Sequence, residues 1–115
     1  MIQKVKRLKE QHLKDLKIEL ERVKSKLIEL GALKIILFGS AVRGELDITS
    51  DIDLIAVIES KKKFIKRLTD YYKEIQPKEI DLLIYNPKEF KRMKIENLFI
   101  QHVLKKGEII YERKK

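Results

Sequence analysis

Gly39 and Ser40 follow an apolar run, and ten residues further on Asp51-Ile52-Asp53 opens another. A glycine lets the backbone pass close to a bulky anion with no Cβ in the way, and a serine hydroxyl can donate to a phosphate oxygen while capping the short segment Ala41-Val42-Arg43. In a strand the side chains alternate faces, so Asp51 and Asp53 point the same way with Cα atoms ~7 Å apart and can converge on one cation. A phosphate grip and a carboxylate pair are the two halves of a phosphoryl-transfer site. Gly44 supplies a second flexible point in the intervening loop, and Arg43 is a candidate phosphate partner.

Burial does not explain these acids. Asp51 and Asp53 enter an otherwise apolar stretch, Ile52 and Leu54 to Ile58, where a carboxylate is costly unless metal or hydrogen bonds compensate it. A third acid, Asp81, sits between Ile80 and Leu82 in the next apolar stretch. If the two stretches are neighbouring strands, Asp51, Asp53 and Asp81 form one cluster of negative charge. Magnesium, a hard cation, stabilises such a cluster and leaves positions for phosphate oxygens and water. Glu45, Asp47 and Glu79 read as loop or rim acids. With no histidine beside the acids, His12 and His102 read as structural or surface residues, and Tyr71, Tyr72, Tyr85 and Tyr111 as packing residues.

The elements that position this constellation follow from apolar periodicity. Residues 2–30 contain no glycine or proline, and Leu16, Leu20, Val23, Leu27 and Leu30 recur at steps of four, three, four and three. That spacing predicts one long amphipathic helix, with Val5 and Leu8 extending its stripe and Gly31 ending it. Such a helix is ~40 Å long at 1.5 Å per residue, against a radius of gyration of ~13 Å for a compact chain of this length, so its first turns overhang and offer a surface to a partner or a second copy. Leu33 to Phe38, apolar at its centre, reads as a buried central strand and Asp51 to Ile58 as a second. A helix over Lys63 to Ile75 comes next, then a third strand over Lys78 to Tyr85. One helix from Pro87 toward Lys105 should turn Phe90, Met93 or Ile95, Leu98 and Val103 inward, and Glu108 to Tyr111 closes as a short strand. The fold class is α+β, an α/β sandwich with a mixed sheet of about four strands flanked by helices.

At 115 residues the chain reads as a single domain over residues 1–115, too short for a catalytic domain plus a separate recognition domain. Charged residues make up 39% and the formal charge is +9, which suits an anionic partner. The cations are spread over every segment, and no aromatics are interleaved for base stacking, so they read as solvated surface and direct nucleic-acid binding is not expected. The absence of cysteine excludes disulfides and thiolate metal sites. No apolar run approaches the ~20 residues of a membrane span and no signal peptide is recognisable, so the expectation is a cytoplasmic protein.

Leu37-Phe38-Gly39-Ser40-Ala41-Val42-Arg43-Gly44 followed by Ser50-Asp51-Ile52-Asp53-Leu54 resembles the signature of the polymerase-beta-type nucleotidyltransferase superfamily. More narrowly it resembles the minimal nucleotidyltransferases, the MNT-type antitoxins encoded beside HEPN-domain toxins, and the ending Gly107 to Tyr111 is similar to theirs. The resemblance implies the nucleotidyltransferase fold and transfer of a nucleoside monophosphate from a nucleoside triphosphate, ATP for this branch, with release of pyrophosphate. By it, Gly39 and Ser40 hold the triphosphate, Asp51 and Asp53 bind two Mg2+ ions, and Asp81 helps to activate the attacking hydroxyl. The implied acceptor is a tyrosine hydroxyl of the HEPN-domain toxin. A reading from another class is a non-catalytic module that senses nucleotide or neutralises a toxin by binding alone.

Overall fold

The computed structural model describes residues 2–39 and 52–114. Their order is α1 (Ile2–Glu29), β1 (Ala32–Phe38), β2 (Ile52–Ile58), α2 (Phe64–Ile75), β3 (Ile80–Tyr85), α3 (Pro87–Glu96), α4 (Leu98–Lys106) and β4 (Glu108–Glu112). The strands form one sheet in the order β3-β2-β1-β4. β1 is antiparallel to both β2 and β4, whereas β2 and β3 run parallel. A parallel pair needs a crossover, and α2 supplies it. The sheet is therefore mixed and the fold α+β, as the sequence predicts.

Strand alternation sorts the core into two layers. Ile35 and Leu37 of β1, Leu54 and Ala56 of β2, and Leu82 and Ile84 of β3 pack with Leu16, Val23, Leu27 and Ile75 of α1 and α2. Ile36, Ile55, Val57 and Tyr85 point the other way, onto Phe90, Ile100 and Val103 of α3 and α4. The even spacing of apolar residues in α1 thus marks its sheet-facing stripe, and Gly31 ends the helix at φ +103, a conformation suited to glycine. The stripe does not continue to Leu8, which is 57% exposed. The molecule measures 52 × 29 × 27 Å with a radius of gyration of 15.3 Å, above the ~13 Å of a compact chain, consistent with an overhanging α1.

Two further expectations need correction. The helix expected to run unbroken from Pro87 to Lys105 divides at Asn97, whose backbone is extended and whose Oδ1 accepts from the Ile100 amide at 3.0 Å. Gln101 closes the break from the other side by donating to the carbonyls of Lys94 and Ile95 at 3.2 and 2.9 Å. Of the alternatives Met93 and Ile95, Met93 packs on the core and Ile95 stands 76% exposed. Beyond the break the helical face is rotated, so Leu98, expected to face inward, is 82% exposed and Ile100 fills the core instead. The third strand begins at Ile80 rather than Lys78, because Gln76 and Glu79 both adopt left-handed backbone conformations that the extended ladder excludes.

A feature with no signal in the sequence joins α2 to α3. Arg67 is 1% exposed, and its guanidinium donates to Glu89 Oε1 at 2.6 Å, to the Ile84 carbonyl at 3.1 Å and to the Lys62 carbonyl at 2.6 Å. Glu89 in turn completes a capping box with Asn86 at the start of α3, satisfying amides that the first helical turn leaves open. A buried charge held by three acceptors fixes the entry of α3 relative to the end of β3.

Candidate functional site

The strand register brings two of the three predicted acids together. Phe38 at the end of β1 pairs with Asp53, and Asp53 pairs with Asp81 across the parallel β2–β3 ladder. Directly paired residues share a face, and adjacent strands lie ~4.8 Å apart, so the two carboxylates stand side by side. Because Leu54 and Leu82 are buried against α1 and α2, alternation directs Asp53 and Asp81 to the opposite face, the α3–α4 side. Asp53 is half-buried and Asp81 exposed, so the pair lies at the mouth of the sheet rather than within its core. Asp51, Ser40, Arg43, Gly44 and the segment Ala41-Val42-Arg43 lie outside the described residues.

Gly39 has a reason for its identity beyond approach to phosphate. Its φ is +85, and a Cβ there would meet Asp53 Oδ2 at 2.7 Å, closer than a carbon and an oxygen can sit unbonded. The backbone at the end of β1 therefore lies against the Asp53 carboxylate, and only a hydrogen at Cα fits. This contact links the glycine half of the motif to its acid half in space. Phe38 forms the apolar flank, with the Phe99 ring of α4 edge-on at 5.7 Å and 78°.

Asp81 is positioned from the other side of the sheet by α1 and α2. Arg22 donates to the Ile75 and Gln76 carbonyls at 2.9 and 3.1 Å, and Glu19 accepts from the Lys78 amide at 2.6 Å. The hydrogen bond from Arg22, outweighing desolvation and helped by the Lys78 amide, holds the Glu19 carboxyl below the usual glutamate range. Together these bonds tether the turn that feeds β3. The Ile52 amide donates to the Glu79 carbonyl at 3.3 Å, and the Leu82 amide donates to the Tyr72 hydroxyl at 2.8 Å, so the strand on either side of Asp81 is held. His12 and Glu79 approach at 3.7 Å near this turn. Glu19, Arg22 and Tyr72 are positioning residues that sequence reasoning missed; nothing in residue type distinguishes them from surface or core.

Two adjacent carboxylates on one half-exposed face offer the hard oxygen donors that a divalent cation such as magnesium takes, so the residues present fit such an ion. Among the described residues no group of three or more acids, histidines or cysteines gathers as a metal site; the trio expected from the sequence has one member outside them. Also among the described residues, no helix is long and apolar enough to cross a membrane.

Comparison with known proteins bears on this geometry. No curated protein matches the chain. Among solved structures, a Sulfolobus solfataricus protein provisionally assigned as a nucleotidyltransferase superposes with a TM-score of 0.56 at 22% identity, covering 91% of this chain and 84% of that one. A mutant toxin–antitoxin pair, MntA-HpeT, gives a TM-score of 0.47 at 19% identity over 79% of this chain and 73% of that chain. The family model described as "Polymerase beta, Nucleotidyltransferase" matches residues 21–115, leaving most of α1 outside the match. With the family model spanning every strand and the acid pair, this chain belongs to the polymerase beta nucleotidyltransferase family.

Proposed function

We propose that this nucleotidyltransferase transfers AMP from ATP to a hydroxyl of a protein acceptor, a tyrosine of a cognate HEPN-domain toxin, and so acts as an antitoxin. The observation that carries the transfer reading is the register that sets Asp53 beside Asp81 with Gly39 packed on the Asp53 carboxylate. The acceptor reading rests on the likeness of the Leu37 to Leu54 motif to the minimal nucleotidyltransferases. Asp53 and Asp81, with Asp51, would hold the Mg2+ ions. Bound there, the metal supplies neutralisation of the charge that builds on the leaving pyrophosphate. Gly39, Ser40 and Gly44 let the backbone close on the triphosphate, with Arg43 as a further phosphate partner. Asp81, the more exposed acid, would take the proton of the acceptor hydroxyl as its oxygen bonds to the α-phosphorus and the bond to pyrophosphate breaks.

The experiment is incubation of the protein with magnesium, ATP labelled at the α-phosphate and the toxin encoded beside it. Label is expected on the toxin, and Asp53→Ala should lower the rate about a thousandfold, the several kcal/mol that a lost metal-holding carboxylate represents, with circular dichroism unchanged. Neutralisation of the toxin by folded protein with no label transferred would replace this reading by the binding-module one.

A further inference from the structure

A second chemical feature lies on the same face of the sheet as Asp53 and Asp81 but at its far end, four residues along β2, or ~13 Å by strand rise. There a cleft of about 700 Å³ opens between α3 and the β1–β4 side of the sheet, a volume within the usual range for a bound ligand. Its floor is apolar, built from Val57, Pro87 and Phe90. Around the rim stand Lys34, Lys91, Lys94, Arg113 and Lys114, with Glu112 the one carboxylate among the described lining residues. Lys34 is answered by Glu112 at 3.7 Å, which leaves four cations facing a low-dielectric concavity. Like charges around an apolar cleft focus positive potential into it and attract an anion.

The form of that anion follows from what the cleft lacks. Single-stranded nucleic acid needs aromatic faces for its bases. Phe90 is the aromatic in the lining, it is 4% exposed, and Lys94 Nζ lies 5.4 Å from its ring centre, so no base can stack there. A compact phosphate is best gripped by free amides of a first helical turn, but the Glu89 amide of α3 already donates to Asn86 Oδ1 at 2.8 Å and the Glu89 carboxylate occupies that end. Lysines on long flexible stems around an apolar floor suit carboxylates spaced along a chain, with an apolar side chain between them.

We propose that this cleft docks an acidic peptide segment of a partner protein. An apolar side chain of the segment rests on the apolar floor beside the part-exposed Pro87, and its carboxylates meet Lys91, Lys94 and Arg113. The proposal stands independently of nucleotidyl transfer, because none of its residues belongs to the acid end of the sheet. The test is fluorescence anisotropy of the full chain titrated into a labelled peptide that alternates glutamate with leucine. Saturable binding is expected, weakened about tenfold by the double reversal Lys91→Glu, Lys94→Glu, the combined size of two exposed charge pairs. Reversal of Lys6 and Lys9 on α1, equal in charge and remote from the cleft, should change binding less than about twofold. Replacing the leucines of the peptide by serine should abolish saturation. Absence of saturable binding, equal weakening by the α1 reversal, or displacement of the peptide by a tighter-binding single-stranded oligonucleotide would each overturn the proposal.

Discussion

Asp53 and Asp81 reach the α3–α4 side of the sheet from the starts of two paired strands, whereas Lys91 and Lys94 reach the same side from the rim of a helix. The difference is one of precision. A strand residue inherits its position from the backbone ladder, so the register of β2 and β3 fixes the two carboxylates next to one another, and the Gly39 backbone limits how far the Asp53 carboxylate can move. The lysines stand on four-carbon stems whose heads are set by solvent and partner more than by the fold. Fixed charge suits chemistry, where a displacement of an ångström is felt. Mobile charge over an apolar floor suits capture, where adaptability is useful and exact placement is not.

The contrast breaks most readily at the cation end, through Arg67. Its three acceptors include the Ile84 carbonyl near the end of β3 and the Glu89 carboxylate in the first turn of α3, and α3 carries Lys91 and Lys94. Arg67→Ala leaves a part-buried Glu89 and two carbonyls without their donor, and we expect a loss of about 3 kcal/mol in stability, the lower range for breaking a buried ion pair. A urea melt with unchanged slope and lowered midpoint would register it. Peptide capture should fall in the folded variant as α3 shifts, while labelling activity per folded molecule should change less. Equal loss of both would mean that the two ends are mechanically one unit.

At the acid end the smaller change Gly39→Ala sharpens the comparison. An alanine at φ +85 is strained by roughly 1–2 kcal/mol, and its Cβ would force Asp53 Oδ2 to move. We expect a drop in kcat of about tenfold to a hundredfold, since 1.4 kcal/mol corresponds to a factor of ten, with peptide capture at the other end unaffected. An alanine variant with wild-type kcat would show that the exact seat of the Asp53 carboxylate is not limiting.

Why one end is legible in the sequence and the other is not follows from the same physics. An aspartate between isoleucine and leucine in a strand violates the local hydrophobic pattern, and the violation survives in one dimension; so does a glycine ending an apolar run. The strands, the mixed sheet and the long helix are legible for the same reason, since periods of two and 3.6 are local properties. The break at Asn97 is not, because it depends on a cap and on Gln101 reaching back to α3, and both asparagine and glutamine are unremarkable inside a helical pattern. Arg67 reads as one more surface cation until the fold closes over it. The cleft gathers residues 34, 91, 94, 113 and 114 from two separate elements and the segment after β4, and each is an ordinary lysine or arginine where it stands. Glu19 and Arg22 likewise acquire their role only when the turn before β3 comes to rest against α1.

Acid titration offers the finest comparison, because each end of the sheet depends on one carboxylate whose proton affinity folding has changed. At the acid end Glu19 is lowered chiefly by Arg22. At the cation end burial pushes the Glu89 carboxyl up, but the hydrogen bonds from Arg67 and the Asn86 amide and the nearby charges of Arg67 and Arg92 outweigh it and leave the group lowered. A carboxyl that binds its proton more weakly folded than unfolded stabilises the fold fully above the unfolded value, about 4.3, and loses that contribution as pH falls through the lowered folded value. Urea midpoints should therefore decline on the acid side of about pH 4.3, and both Glu19→Gln and Glu89→Gln should flatten the decline while lowering stability at neutral pH. The flattening should be greater for Glu89→Gln, whose partner Arg67 is buried, than for Glu19→Gln, whose partner Arg22 is part-exposed and screened by solvent. The reverse order would place the stronger electrostatic restraint at the acid end and overturn the contrast between a backbone-set site and a charge-pinned docking cleft.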